Sequence, residues 1–166
     1  MANPTMTLIA SVTVGSGGAA TIDFTSIPST YTDLCLKLSA RSTTTDEYCN
    51  ISFNGVTTNL SGIYLYGSIA TPTSGSLVPI FYTDSSATTA NTFGNGEIYI
   101  PNYSGSANKS MSIDSVTENN ATGASKILQA GLWSNTSAIN RITLTHSGTG
   151  IFVQYSTAYL YGISNS

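Results

Sequence analysis

Residues 93–120 read FGNGEIYIPNYSGSANKSMSIDSVTENN, and this stretch decides the fold class. Gly94-Asn95-Gly96 is a turn signal, Glu97–Pro101 alternates apolar and polar, and Asn102–Lys109 is a loop of small polar residues. Met111, Ile113 and Ser115 then share one parity until Glu118-Asn119-Asn120 breaks the pattern. A second strand–loop–strand, LQAGLWSNTSAINRITLT (residues 128–145), comes directly after it. Two hairpin-like units with no helix between them predict one antiparallel β layer. The one helix-compatible window, Ala121–Ala130, contains Gly123 and is flanked by strand patterns, so helix content should be close to nil.

Towards the N-terminus, Leu8, Ala10, Val12 and Val14 alternate with Ile9, Ser11 and Thr13, a first strand ended by Gly15-Ser16-Gly17-Gly18. Ala20–Phe24 is a return strand and Ile27-Pro28-Ser29 a turn. Leu34, Leu36, Leu38 and Ala40 alternate with Cys35, Lys37, Ser39 and Arg41, the clearest half-buried strand in the chain. Tyr48–Phe53 places Cys49, Ile51 and Phe53 on one face, and Asn54-Gly55 comes next as a hairpin signal. Ile63/Leu65 and Tyr64/Tyr66 make the next strand apolar on both sides. Gly67–Ser76 reads as an exposed loop, Leu77–Tyr82 as a short edge strand because of Pro79, and Asp84–Asn91 as a second polar loop. Phe152–Gly162 is again two-sided, as befits a central strand or one covered by another subunit. About ten strands separated by turn signals predict an all-β antiparallel β-sandwich, one domain over residues 8–166 behind an N-terminal arm, residues 1–7.

Only 8% of the chain is charged, against roughly 25% in ordinary soluble domains, and 25 Ser with 25 Thr take over the polar faces. Ten Tyr, five Phe and many β-branched residues exclude a disordered chain. The five basic residues, at 37, 41, 109, 126 and 141, form no stripe, so nucleic acid is not an expected partner. No apolar run reaches membrane-spanning length, and Met1–Val12 lacks the charged and apolar regions of a signal peptide. Synthesis in the cytoplasm without such a peptide is the expectation.

The chemistry-bearing residues are sparse. If Leu34/Leu36/Leu38 and Cys49/Ile51/Phe53 paired as a hairpin with both sets inward, Leu38 would face Cys49, and Cys35 would point the other way. Two free thiols are then expected, with Cys49 in the core. His146, the single histidine, is expected at an exposed turn, and no nucleophile motif accompanies it. One His with two opposed Cys does not make a zinc site. Asp114 and Glu118 share parity but stand about 13 Å apart along a strand, too far for paired-carboxylate hydrolysis. Asp46-Glu47 and Asp114/Glu118 with Asn119 and Asn120 read as solvated acids rather than calcium ligands. Six Asn-x-Ser/Thr sequons (Asn50, Asn59, Asn102, Asn108, Asn120, Asn135) accompany the high Ser and Thr content and are expected to be unused. No catalytic residue, metal or cofactor is assigned, and the chain reads as a non-enzyme. The interface candidates are Tyr64, Tyr66, Tyr99, Tyr103 and Trp133, because Tyr and Trp dominate contact hot spots and also stack on sugar rings. Leu132 shares parity with Leu128 and Ala130, which would turn Trp133 away from them, towards solvent or a partner.

The segments FGNGEIYIPNYSGSANKSMSIDSVTENNATG, LQAGLWSNTSAINRITLT and FVQYSTAYLYGI, with SIPSTYTDLCLKLSARS and the Asn-Gly turn, resemble a family of virion structural proteins of tailed bacteriophages. The likeness covers the chain from Ile27 onward. It implies a β-sandwich or jelly-roll component of the particle, with no catalytic residues to carry over. A capsid decoration (cement) protein on the shell, bound to the major capsid protein or other virion proteins, is the first expectation. A tail fibre or spike component recognising host glycans is the alternative, and the lack of a trimerisation shaft favours the shell. The arm, with Met1, Asn3, Pro4 and Thr5, has no core of its own and is expected to hold a neighbouring chain in a homo-oligomer, a trimer ahead of a dimer.

Overall fold

The computed structural model describes residues 5–68 and 72–164, and all regular structure among them is β. In chain order the strands are β1 (Met6–Thr13), β2 (Thr21–Phe24), β3 (Asp33–Ala40), β4 (Tyr48–Phe53), β5 (Leu60–Gly67), β6 (Thr73–Ser76), β7 (Ile80–Tyr82), β8 (Gly94–Ile100), β9 (Lys109–Glu118), β10 (Ala124–Trp133), β11 (Ile142–His146) and β12 (Thr157–Ile163). Eight form one sheet in the order β1-β12-β3-β8-β9-β10-β5-β6, and four form another in the order β2-β11-β4-β7. Every neighbouring pair within the sheets is antiparallel.

The core arises from period-2 alternation. Leu34, Leu36, Leu38 and Ala40 of β3 are buried with Ile98 and Ile100 of β8 and Leu160 of β12. From the smaller sheet, Ile22 and Phe24, Cys49, Ile51 and Phe53, and Ile142 and Leu144 join the same apolar cluster. Trp133 of β10 and Phe53 of β4 stand 5.4 Å apart in a tilted ring contact between strands of different sheets.

Several expectations fail, each for an identifiable reason. β3 does not pair with β4: β3 lies between β12 and β8, and β4 between β11 and β7. Both cysteines are free, but they are on different sheets. Cys49 is in the core, while Cys35 lies on the opposite face of β3 from Leu34 and Leu36, buried between its cross-strand neighbours Tyr161 and Tyr99. Burial pushes the Cys35 thiol up to about 11 and the Cys49 thiol up to about 12. Asn54-Gly55 does make a tight two-residue turn, with both φ positive and Phe53 and Val56 exchanging backbone hydrogen bonds. The chain then leaves for the other sheet, so no hairpin grows from it. Likewise β10 and β11 part company, and only β8-β9-β10 is a continuous meander.

Gly94-Asn95-Gly96 is not a turn but the start of β8. A Cβ at Gly94 would lie 2.7 Å from the Asp84 backbone nitrogen, and one at Gly96 would lie 2.6 Å from Phe81 Cδ1. These glycines mark a close approach of the other sheet, the second meaning of glycine in a strand. In β1 the register shifts between Leu8 and Ala10, a bulge that leaves Leu8 exposed while Ile9 and Ala10 pack against the core. Within the stretch read as a loop, Thr73–Ser76 is the edge strand β6. Pro79 precedes β7, which is an edge strand as expected.

Candidate functional site

The outer face of the eight-stranded sheet gathers the side chains that the core does not use. The cross-strand register sets out two rows. One runs Tyr161, Cys35, Tyr99, Ser112, Ala130, Ile63; the next runs Tyr159, Lys37, Glu97, Asp114, Leu128, Leu65. The β12–β9 half is polar and aromatic. Lys37 is ion-paired with Glu97, and Lys126 Nζ with Asp114 Oδ2 at 2.8 Å, each pair about half exposed. Such pairs add little stability, but they cancel each other's charge on this face. The Glu97 carboxylate raises the pKa of Lys37. Between Lys37, Glu97, Tyr99, Ser112, Asp114 and Leu128 lies an open depression of about 700 Å³.

The β10–β6 half is aliphatic beyond Lys126 of β10, whose ammonium is paired with Asp114 of β9. Ile63, Leu65 and Leu128 are 64%, 62% and 45% exposed, with Ala130 beside them, and they border a second depression of about 680 Å³ with Ser74 and Ser76. Residues 48–83 carry no Asp, Glu, Lys, Arg or His, so β4 to β7 are free of charge. Contiguous exposed apolar side chains of this size mark interaction surfaces more often than isolated ones do.

The buried polar groups serve another purpose. His146 is not the exposed turn residue expected: it is buried, with Nδ1 3.4 Å from Ser42 Oγ, Nε2 3.2 Å from Thr83 Oγ1, and its ring edge-on to Phe152. Gly150 permits this, since a Cβ there would lie 2.7 Å from Thr44 Oγ1 and 2.9 Å from His146 Nδ1. Burial lowers the pKa of the imidazole. Thr44 Oγ1 donates to Asp46 Oδ2 at 3.5 Å and sits 3.1 Å from Ser42 Oγ, and the Asp46 charge acts on the imidazole against the effect of burial. The network ties loops together around a buried ring.

Lys109 is buried as well, donating from Nζ to the carbonyls of Gly105 (2.7 Å), Ala107 and Asn135 (3.5 Å), and burial lowers its pKa. The Arg41 guanidinium holds the 84–92 loop through Thr88 O, Thr89 O and Thr92 O. From the other side Glu118 accepts from Thr89 N, Thr92 Oγ1 and Asn120 N. Among the described residues, no three His, Cys, Asp or Glu side chains converge as metal ligands.

The five aromatic candidates do not form one surface. Trp133 and Tyr103 are fully buried within the chain, so neither lines an exposed interface. The parity argument for Trp133 is inverted: Ser125, Ile127, Gln129, Gly131 and Trp133 face the core side, and Leu128 and Ala130 face out. Tyr103 hydrogen-bonds the Pro28 carbonyl. Tyr64 and Tyr66 are half-buried on the opposite face from Ile63 and Leu65, with the Tyr66 hydroxyl 3.0 Å from Ser125 Oγ. Tyr99 is on the outer face and donates to Asp33 Oδ2 at 2.6 Å. Thr5 is exposed beside β1; Met1, Asn3 and Pro4 lie outside the described residues. The side chains that do gather, Ile63, Leu65 and Leu128, left one trace in the sequence, the two-sided pattern of residues 63–66.

No family model, no curated protein and no solved structure matches this chain.

Proposed function

We propose that this is a non-enzymatic structural protein of a phage particle, a capsid decoration protein that binds the shell through the aliphatic half of its large sheet. The observation that carries the reading is the apolar patch of Ile63, Leu65 and Leu128, bordered by the ion-paired Lys126, beside a strand edge with no charge of its own. We read the two sheets as a β-sandwich of jelly-roll type. In support, the chain passes back and forth between the sheets, and one apolar cluster draws on both. A cement protein works by area and shape, and a weakly charged hydroxyl-rich domain suits long contact with neutral shell surfaces. The exposed Thr5 and the residues before it supply a further contact in this reading, within a homo-oligomer.

The test uses particles. Those lacking the protein should assemble and infect, yet leak DNA sooner on heating. Protein carrying Leu65→Asp should fold normally and fail to load onto them. Normal shell stability with lost adsorption to host cells would replace decoration by the second reading, an adhesin for host glycans. That reading has its own observation: the polar depression, with Tyr99 beside Lys37, Glu97 and Asp114, offers a ring and hydrogen-bonding groups together. A location at the tail, in a few copies per particle, would end the decoration proposal.

A further inference from the structure

The four sheet edges among the described residues are not equally protected. β1 carries a bulge, β2 displays the Asp23–Arg141 ion pair, and β7 is three residues long behind Pro79. Bulges, charges, prolines and short length are the usual guards against edge pairing. β6 has the sequence TSGS and regular register with β5; its guards are its four-residue length and Pro72 just before it, and it carries neither a bulge nor a charge.

The direction of its backbone groups can be derived. In an antiparallel ladder, facing residues alternate between pairs that exchange hydrogen bonds and pairs that do not. Ser134 N–H donates to Asn59 O at 2.8 Å on the β10 side of β5, and Leu77 N–H to Gly62 O at 3.0 Å on the β6 side. Counting by twos from Leu77 through Gly75 and Thr73, these residues turn their backbone groups to β5. Ser74 and Ser76 therefore aim their N–H and C=O groups out of the sheet.

We propose that β6 is a homotypic edge: two copies of the chain pair β6 with β6 antiparallel, about a two-fold axis at Gly75, and join their eight-stranded sheets into one. Ser74 then faces Ser76 of the second copy and exchanges a pair of hydrogen bonds with it, and the symmetric pair does the same. Gly75 faces Gly75 of the second copy in the non-bonded position, where the strands come closest. It has no side chain because its own Tyr64 ring lies 3.0 Å from where a Cβ would stand. A second copy fits better than a foreign strand for two reasons. The pattern of donors and acceptors is its own complement about this axis, and residues 48–83 bring no charge to the seam from either side. On the outer face Ser74 and Ser76 of both copies then line the seam, with Ile63 and Leu65 of each copy on the strand behind them. The contact is two-fold, in place of the three-fold association expected from the arm.

Proline separates this edge from the ladder behind it. Ser76→Pro or Ser74→Pro removes an outward N–H and leaves the β5–β6 hydrogen bonds intact. Sedimentation velocity over a concentration series should show a monomer–dimer equilibrium for the unaltered chain. Each proline variant should weaken the dimer at least about tenfold, with an unchanged melting temperature at concentrations where the chain is monomeric. In the double variant Ser74→Cys/Ser76→Cys, mild oxidation should yield a covalent dimer linked between positions 74 and 76 of different copies. An unaltered chain that stays monomeric throughout, a trimer, or a dimer indifferent to both prolines and not cross-linked by the cysteine pair would overturn the proposal.

Discussion

Trp133 fills the gap between the sheets against Phe53, wholly buried. Its removal should cost about 3–5 kcal/mol, the range for a large aromatic truncated in a packed core. Urea unfolding of Trp133→Ala measures this, and a loss under about 1 kcal/mol would contradict the packing described. Trp133→Phe should be milder, because the indole Nε1 has no hydrogen-bond partner to lose. His146 makes a pH prediction. The unfolded chain takes up a proton at the ordinary pKa of 6.5, and the folded chain only at lower pH, because burial disfavours the imidazolium. Between the two values the unfolded state holds more protons, so stability falls as pH drops through 6.5 and levels off below the folded value. As the only histidine in the chain, it should account for any decline in the urea midpoint between about pH 7.5 and about pH 5.5. His146→Gln should flatten that decline; an unchanged slope would assign it to other groups. Neither role was legible from sequence. Apolar residues occupy both parities of β10, and a choice off by one turns every side chain over. The cover over His146 comes from loops near residues 42–44, 83 and 150, which no local pattern links.

At the level of the strand, glycine has two meanings that local sequence does not separate, and substitution tells them apart. Gly96→Ala places a methyl 2.6 Å from Phe81 Cδ1 and 3.0 Å from the Asp114 carbonyl, so β8 and β7 must move apart. We expect a loss of about 1–3 kcal/mol in thermal or urea unfolding. Gly67→Ala, at the end of β5 with nothing within 4 Å of the added carbon, is the control and should change stability by less than about 0.5 kcal/mol. Equal effects at the two sites would mean that backbone entropy rather than the approach of the sheets sets the cost. The contrast explains why Gly94-Asn95-Gly96 looks like a turn. A turn and a close approach both exclude side chains, and only the tertiary neighbour distinguishes them. Asn54-Gly55 satisfies the turn chemistry in full, with Asn54 Oδ1 also accepting from Asn140 N and Arg141 N. The destination of the chain beyond Gly55 left no local signal, because the choice of sheet depends on distant strands.

For the whole molecule, the all-β character and the edge position of β7 could be read directly, since each rests on a local signal such as alternation or Pro79. The division into two sheets could not, because pairings like β3 with β12 and β1 with β12 join opposite ends of the chain. That last arrangement has a bearing on how the protein is made. Met6 pairs with Ile163 and Thr13 with Thr157, and among the described residues β12 is the only neighbour of β1 in its sheet. During synthesis the first strand leaves the ribosome long before its partner exists. It has no partner in its sheet until residues 157–163 have been translated. Completion of the larger sheet on this side thus waits for residues 157–163, and a chain released before residue 157 would present two bare strand edges, at β1 and β3, where the structure pairs both with β12.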